Sequence, residues 1–322
     1  MSAKRELRIS PKWLERLRYD VPLADYTTFR LGGPAAMLIE LESPDEVSEL
    51  VRELTLRNEA WRVVGGGSNL LVADEGVEEF VIVYRSSKKR IRRQGEQLLA
   101  AGGVLLSDVV DFAAAEGLSG MEFLAGIPGT VGGAIYGNAG AFGEAIGKPL
   151  AEASMVSSRG MLYKAVCRDL GFKYRRSCLY ETKDIVLEAR FQLKAAEPET
   201  VRAAVDEILE QRRGKHPDVK RNPCAGSFFQ NVDPEPGSER RSAAGYLLEQ
   251  AGAKQMQVGG AKVYSKHANI IVADKGCRSQ DVIKLAVELR EAVKKMFGIE
   301  LLREVEIWPE KAGTRLPKFK NP

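Results

Sequence analysis

Two glycine-rich stretches constrain this chain more than any other feature. The first, "WRVVGGGSNLLVADEG" at 61–76, places Gly65, Gly66 and Gly67 directly after a short β-like run, Val63-Val64. The second, "AGIPGTVGGAIYGNAGAFG" at 125–143, holds Gly126, Gly129, Gly132, Gly133, Gly137, Gly140 and Gly143. Glycine costs conformational entropy on folding, and the usual return is backbone that can approach something closely. A low-complexity linker would be Ser- or Gln-rich and would repeat; the second stretch does neither. Apart from Tyr136 and Phe142 its side chains are small, with Thr130 and Asn138 the main polar ones. This predicts backbone packed on a large flat ligand, with Thr130 and Asn138 hydrogen-bonding it.

GGGSN is not the dinucleotide fingerprint, which needs G-x-G-x-x-G opening a helix. Aligned on Gly65 and Gly67, the third position is Leu70, and "LLVADEG" reads as strand and turn. No GK[ST] follows, which excludes a P-loop. What remains is a bare turn whose successive N–H groups can hold an anion, with Ser68 and Asn69 adding side-chain donors. Taken alone, a tight turn without a ligand is the commoner case. Two glycine walls together could enclose one extended nucleotide.

The 322 residues allow two or three domains, and 44% apolar with 29% charged residues is ordinary for a globular protein. A net charge of +4 suits small anionic ligands and does not suggest a nucleic-acid binder. Cys167, Cys178, Cys224 and Cys277 are scattered without a CxxC, so neither a disulfide framework nor a zinc site is expected. His216 and His267 are the only histidines, and no metal is expected. No apolar signal-like region opens the chain, and no run approaches membrane-spanning length. The expectation is a soluble, cytoplasmic protein without a membrane span.

Ser43-Pro44-Asp45-Glu46 is a helix start, and Val47, Leu50, Val51 and Leu54 follow at helical spacing. Helices are also expected over 105–118, 201–214 and 279–298, the last capped by Ser279 and stopped by Gly298. Strands are expected at 80–84, 185–193 and 299–307, and the basic run 85–93 as a solvated hairpin. "KAAEPET" (194–200) reads as a linker and the basic tail as mobile. The class is α+β. The expected segments are 1–88, 89–196, 197–308 and a tail at 309–322.

Seven collinear stretches carry a specific resemblance: "TTFRLGGPA" (27–35), "VVGGGSNLLV" (63–72), "GIPGTVGGAIYGNAGAFG" (126–143), "FKYRRS" (172–177), "NPCAGSFFQN" (222–231), "AGYLLEQAGAK" (244–254) and "VGGAKVYSKHANIIV" (258–272). With them the chain resembles the UDP-N-acetylenolpyruvoylglucosamine reductases, flavoproteins of peptidoglycan precursor synthesis. The resemblance implies a two-part FAD-binding unit of the vanillyl-alcohol oxidase type (the first two segments) and a C-terminal α+β substrate domain. It implies non-covalent FAD held by Gly65, Gly66, Gly67, Ser68, Asn69 and Leu70, and by Gly126, Ile127, Pro128, Gly129, Thr130, Gly132, Gly133, Ala134, Asn138 and Gly140. It implies NADPH as reductant and UDP-N-acetylglucosamine enolpyruvate as substrate. The compact family type is expected, because no extra tyrosine loop fits between "FKYRRS" and "NPCAGSFF". A monomer is expected.

The implied reaction reduces an enolpyruvyl ether to a lactyl ether. A hydride must reach the β-carbon. The carboxylate must be held while negative charge grows on it. A proton must then reach the α-carbon. Arg175 matches the family arginine on the carboxylate; read alone, it is a surface arginine beside Arg176. Lys173 and Arg176 depart from the usual glycine and acid. Ser227 matches the proton donor; alone, it is a turn serine. Glu304 matches the catalytic glutamate; alone, it and Glu306 are two solvated carboxylates on one strand face. Tyr174, Lys215, Asn231 and His267 carry over as substrate contacts, with His267 equally suited to a structural hydrogen bond.

Two other readings compete. A flavin oxidase of the same cofactor fold often attaches FAD through a histidine in the glycine turn, and here that place is Ser68, which excludes covalent attachment there. A non-catalytic flavin- or nucleotide-sugar-binding module would not depend on Ser227 and Glu304.

Overall fold

The Ser43-Pro44-Asp45-Glu46 start yields a helix over Pro44–Leu56 in the computed structural model, which describes residues 9–234, 241–310 and 316–318. The helix buries Val47, Leu50, Val51 and Leu54, the face its periodicity predicts.

Compactness divides the chain into two units. The first takes the chain up to Val21, Ala35–Gly66 and Glu78–Leu209; the second takes Pro22–Pro34, Gly67–Val77 and the chain from Glu210 onward. The division falls inside a continuous helix, Pro198–Lys215, rather than at the expected linker. Within "KAAEPET", Lys194–Ala195 pairs with Leu118–Ser119 and Pro198 already opens that helix, so the stretch is built into the fold.

In the first unit a four-stranded sheet runs in the order Arg18–Pro22, Pro34–Leu41, Val77–Tyr84, Trp61–Val64. The last two strands are parallel, registered from Trp61 on Phe80 to Val64 on Val83. Helix Pro44–Leu56 shares a core with Ile39, Phe80 and Ile82 of this sheet. A five-stranded antiparallel sheet follows, in the order Leu162–Val166, Leu150–Val156, Ile185–Gln192, Gln97–Ala101, Ile91–Gln94. The expected hairpin at the basic run is thus Ile91–Gln94 with Gln97–Ala101. Helix Leu106–Ala115 joins Val131, Ile135 and Phe191 in a second core. Strand Ile185–Gln192 serves both cores because a register shift between Val186 and Glu188 breaks its two-residue alternation: Ile185 and Leu187 belong to one, Val186, Ala189 and Phe191 to the other.

In the second unit an antiparallel sheet of Gln257–Val258, Ala261–Tyr264 and His267–Ala273 shares a core with helices Ala244–Gln250 and Ser279–Phe297. Phe29, Leu31 and Leu71 lie in the same core. Strand Leu70–Val72 pairs in parallel with Glu306–Trp308, Leu70 opposite Glu306. The start of helix Ser279–Phe297 differs from expectation. The Asp281 carboxylate accepts the Arg278 N–H at 3.0 Å, while the Ser279 hydroxyl accepts the Asp74 N–H at 3.0 Å. Capping therefore falls to Asp281 and Ser279 ties the helix to the 70–77 segment.

The tail also departs from expectation. Among its described residues, Leu316 is fully buried and Lys318 is 6% exposed. Among the described residues, no helix is long and apolar enough to cross a membrane, and no group of His, Cys, Asp and Glu is arranged to hold a metal ion.

Candidate functional site

In the first unit the two glycine walls touch. A Cβ on Gly66 would lie 2.6 Å from the Gly129 Cα, and one on Gly65 would lie 2.3 Å from the Thr130 Oγ1. Bare backbone here is required by protein packing. Gly133 is different. It is exposed, and a Cβ there would meet nothing closer than the Thr130 Oγ1 at 3.4 Å. Gly126 and Pro128 are exposed as well. The Gly66 N–H is taken up by no hydrogen bond among the described residues. A backbone amide left for a ligand, on glycine-rich backbone with exposed neighbours, suits an extended anionic cofactor such as FAD.

The polar residues of the second stretch turn inward. Thr130 is 2% exposed, and its hydroxyl accepts the Gly133 N–H at 3.3 Å, capping helix Val131–Tyr136. Asn138, at φ +43° and 8% exposed, donates from Nδ2 to the Lys173 carbonyl at 2.9 Å and accepts the Gly147 N–H at 3.3 Å. Asn138 thus holds the "FKYRRS" loop. Ala134 is buried in the helix, Ile127 packs on the core, and Gly140 is pressed against the Glu144 carbonyl at 2.1 Å from where a Cβ would sit. Gly132 lies over the Gly102 carbonyl, whose oxygen would be 3.1 Å from a Cβ.

The loop that Asn138 holds carries Arg175. The Lys173 N–H donates to the Arg176 carbonyl at 2.9 Å and the Arg176 N–H returns to Lys173 at 3.2 Å, closing a tight turn. Arg175 sits in it at φ +54°, a region an L side chain enters only at a cost. Its guanidinium carbon is 5.3 Å from the Tyr174 ring centroid. Ser177, 1% exposed, donates its hydroxyl to the Tyr136 carbonyl at 2.7 Å. The first unit thus brings Tyr174, Arg175 and the second glycine stretch into one hydrogen-bonded group.

In the second unit Gly67, at φ +62°, is packed so that a Cβ would meet the Tyr26 carbonyl oxygen at 1.9 Å. Its own carbonyl accepts the Thr28 N–H at 3.1 Å, and its N–H is taken up by no hydrogen bond among the described residues. Asn69 was expected to point its side chain at the ligand. Its Nδ2 donates to the Glu304 carbonyl at 3.2 Å, and its carbonyl accepts the Glu306 N–H at 2.9 Å. Leu70 is a buried strand residue opposite Glu306, so it contributes backbone register. Ser68 is half-buried.

Ser227 and Glu304, far apart in sequence, come together in a short antiparallel ladder. Phe229 bridges Arg303, the Glu304 N–H donates to the Phe228 carbonyl at 2.7 Å, and the Gln230 N–H donates to Leu302 at 2.8 Å. Glu304 therefore lies opposite Phe228, the residue after Ser227. On the other side Ser227 bridges Ile270. Asn269, 3% exposed and missed in the sequence, grips this segment as a backbone would. Its Oδ1 accepts the Phe229 N–H at 2.9 Å and its Nδ2 donates to the Phe229 carbonyl at 2.8 Å. Its own carbonyl accepts the Phe228 N–H at 2.8 Å. The only sequence signal was a polar residue inside the apolar run "ANIIV".

Asn231 is drawn toward structure: its Oδ1 accepts the Ala244 N–H at 3.1 Å at the start of helix Ala244–Gln250. His216 and His267 face each other with ring centroids 5.5 Å apart. Burial pushes the His216 imidazole down to about 4, with Arg212, His267 and Lys215 adding repulsion. Burial likewise lowers His267, and Lys215 and Lys254 add to it. The His267 Nδ1 accepts the Asn269 N–H at 3.3 Å, which leaves Nε2 as the donor of a neutral ring. Lys215 thus stands beside two uncharged imidazoles, a setting that leaves its charge for an anion.

A family profile described as a FAD binding domain matches residues 35–165, and one described as the UDP-N-acetylenolpyruvoylglucosamine reductase C-terminal domain matches 217–308. The UDP-N-acetylenolpyruvoylglucosamine reductase of Carboxydothermus hydrogenoformans is 39% identical over 94% of this chain and 96% of its own. That of Bacillus subtilis is 36% identical over 89% and 92%. The crystal structure of the Thermus caldophilus enzyme of that name superposes with a TM-score of 0.75 at 34% identity, covering 91% of this chain and all of its own. With both profiles in chain order and identity sustained across nearly the full length, the chain belongs to the UDP-N-acetylenolpyruvoylglucosamine reductase family.

Proposed function

We propose that this protein uses NADPH to reduce UDP-N-acetylglucosamine enolpyruvate to UDP-N-acetylmuramate, a step of peptidoglycan precursor synthesis. The observation that carries the reading is the ladder that brings the Ser227 segment alongside Glu304, with Phe228 directly opposite it. A lone turn serine or strand glutamate has no such arrangement. Bound FAD, reduced by NADPH, supplies the hydride. Arg175 holds the substrate carboxylate with a planar pair of donors and stabilises the charge that grows there. Its strained turn is consistent with a functional side chain, since such strain persists where the surroundings over-determine it. Ser227 delivers the proton to the α-carbon, and Glu304 is the carboxylate that can take or give a proton beside it. Lys215, flanked by neutral His216 and His267, binds the diphosphate. Tyr174 and Asn231 border the sugar and nucleotide. The protein acts as a cytoplasmic monomer.

The purified protein shows a flavin band near ~450 nm that NADPH bleaches and the enolpyruvyl sugar nucleotide restores. A bleached flavin that oxygen reoxidises and this substrate does not would instead make the protein an oxidase. Placement of the cofactor is tested by two alanines. Gly133→Ala fits the protein itself, so its loss of FAD reports contact with the ligand. Gly66→Ala collides with Gly129 and loses stability with or without FAD. Full flavin content in Gly133→Ala removes that wall from the cofactor.

A further inference from the structure

The described part of the C-terminal tail, 316–318, lies along the segment that carries Glu304. Leu316 fills the same core as Leu301, Val305, Phe228 and Phe229. The Pro317 carbonyl accepts the Arg303 N–H at 3.0 Å, and the Leu316 carbonyl accepts from the Arg303 Nε at 2.7 Å. Arg303, fully buried, also donates from Nη1 to the Val305 carbonyl at 2.8 Å and pairs with Glu310. The Gln230 side-chain amide donates both to the Arg303 carbonyl and to the Lys318 carbonyl, each at 3.3 Å. Finally the Lys318 ammonium, its side chain 5% exposed, pairs with the Glu306 carboxylate, 18% exposed.

These contacts join three pieces of chain. The tail touches the strand two residues after Glu304 through Glu306, the strand one residue before it through Arg303, and the Ser227 segment through Gln230. We infer that 316–318 is a strap that fixes Ser227 and Glu304 in register, with Lys318 as its positioning residue through Glu306 and Gln230. Burial lowers the Lys318 ammonium to about 8 although Glu306 pulls it up, so the charge is kept in a costly place by its partner. A long flexible lysine is held there by the carboxylate at its end and by its own carbonyl on Gln230. Its removal leaves the Glu306 carboxylate without this ammonium, on the strand that presents Glu304.

The inference rests on the reading that Ser227 and Glu304 move the proton, and its test separates the two. Full-length Lys318→Met, Lys318→Arg and the pair Glu306→Gln with Lys318→Met are loaded with FAD and followed by stopped-flow in both half-reactions. Lys318→Met keeps flavin content and the rate of reduction by NADPH, while reoxidation by the enolpyruvyl substrate slows about tenfold to a hundredfold, the scale of a misplaced catalytic group. Lys318→Arg restores most of that rate, and so does the double variant, because it removes both charges. Unchanged reoxidation in Lys318→Met, or an equal fall in both half-reactions, overturns the strap. Failure of the wild-type flavin to be reoxidised by the enolpyruvyl substrate overturns the functional reading instead.

Discussion

Arg175 and the Ser227–Glu304 pair are held by opposite means. Arg175 sits at φ +54° in a turn closed by two hydrogen bonds between Lys173 and Arg176. Local strain is accepted there, and Asn138 and Ser177 hold the loop from outside. Ser227 and Glu304 sit in short bridged segments, secured by cross-strand bonds and by the Asn269 amide. One site is a strained turn on a few anchors, the other a short ladder with many. The lesson concerns what each group must do. A guanidinium on a long stem can find a carboxylate from an approximate anchor. In the proposed role, a hydroxyl that hands a proton to one carbon has almost no reach, so its backbone has to be fixed.

The largest effect expected from this contrast is in Ser227→Ala. The ladder is backbone, so flavin binding and bleaching by NADPH survive, while reoxidation by the enolpyruvyl substrate slows about 10²–10⁴-fold. Ser227→Cys keeps more of the rate, because a thiol also carries a proton. Equal losses in both half-reactions on stopped-flow would make Ser227 a structural residue. Next comes Asn269→Ala, which strips partners from the buried Phe229 N–H and carbonyl. Two unsatisfied groups cost about 2–6 kcal/mol, read as a lower urea midpoint at unchanged slope. A midpoint like that of the wild type would show that the ladder stands without it.

Arg175→Gly tests the strained partner. It relieves a left-handed conformation worth about 1 kcal/mol, so stability rises while turnover of the enolpyruvyl substrate is lost. Lower stability would mean that the arginine side chain, not the turn, anchors the loop. The smallest effect lies with His216. Its folded-state value is depressed to about 4, below the ordinary 6.5. Between those values the unfolded chain binds more protons, so stability is fully present above about 6.5 and falls as the pH drops toward 4. His216→Asn flattens that acid slope in thermal melts across pH 4–7, where ordinary carboxylate titration remains. An unaltered slope would show that His216 titrates as a solvated imidazole.

The helices were legible because their apolar faces repeat with the helical period, as Val47, Leu50, Val51 and Leu54 do. Arg175, Ser227 and Glu304 were singled out only through their motif neighbours, and their roles rest on the proposed function. Asparagine defeated the sequence reading. Asn69, Asn138 and Asn231 looked like ligand donors, yet their amides hold a Glu304 carbonyl, a Lys173 carbonyl and a helix N–H. An amide carries both a donor and an acceptor, so it can stand in for a peptide group or for a ligand contact. Only the three-dimensional register decides, and Asn269 was passed over for the same reason. The glycines of GGGSN were read as openings for a ligand, but Gly66 is bare because Gly129 lies against it. The tail was read as mobile from its charge, and nothing in the string KAGTRLPKFKNP tells that Leu316 reaches a core.

The parallel pair of Leu70–Val72 with Glu306–Trp308 has a consequence for how the chain is made. A ribosome releases Leu70 long before Glu306, and parallel strands so distant in sequence close late because the loop between them must first be ordered. Until then the edge of Leu70–Val72 and the apolar Phe29, Leu31 and Leu71 wait for partners from the other end of the chain. A nascent chain stopped before Leu301 has every glycine of the presumed cofactor walls and still lacks the strand that completes the unit holding Gly67, Ser68 and Asn69. Synthesis of Glu306–Trp308 is thereby a checkpoint: that half of the glycine turn gains its final support only once this strand has been translated.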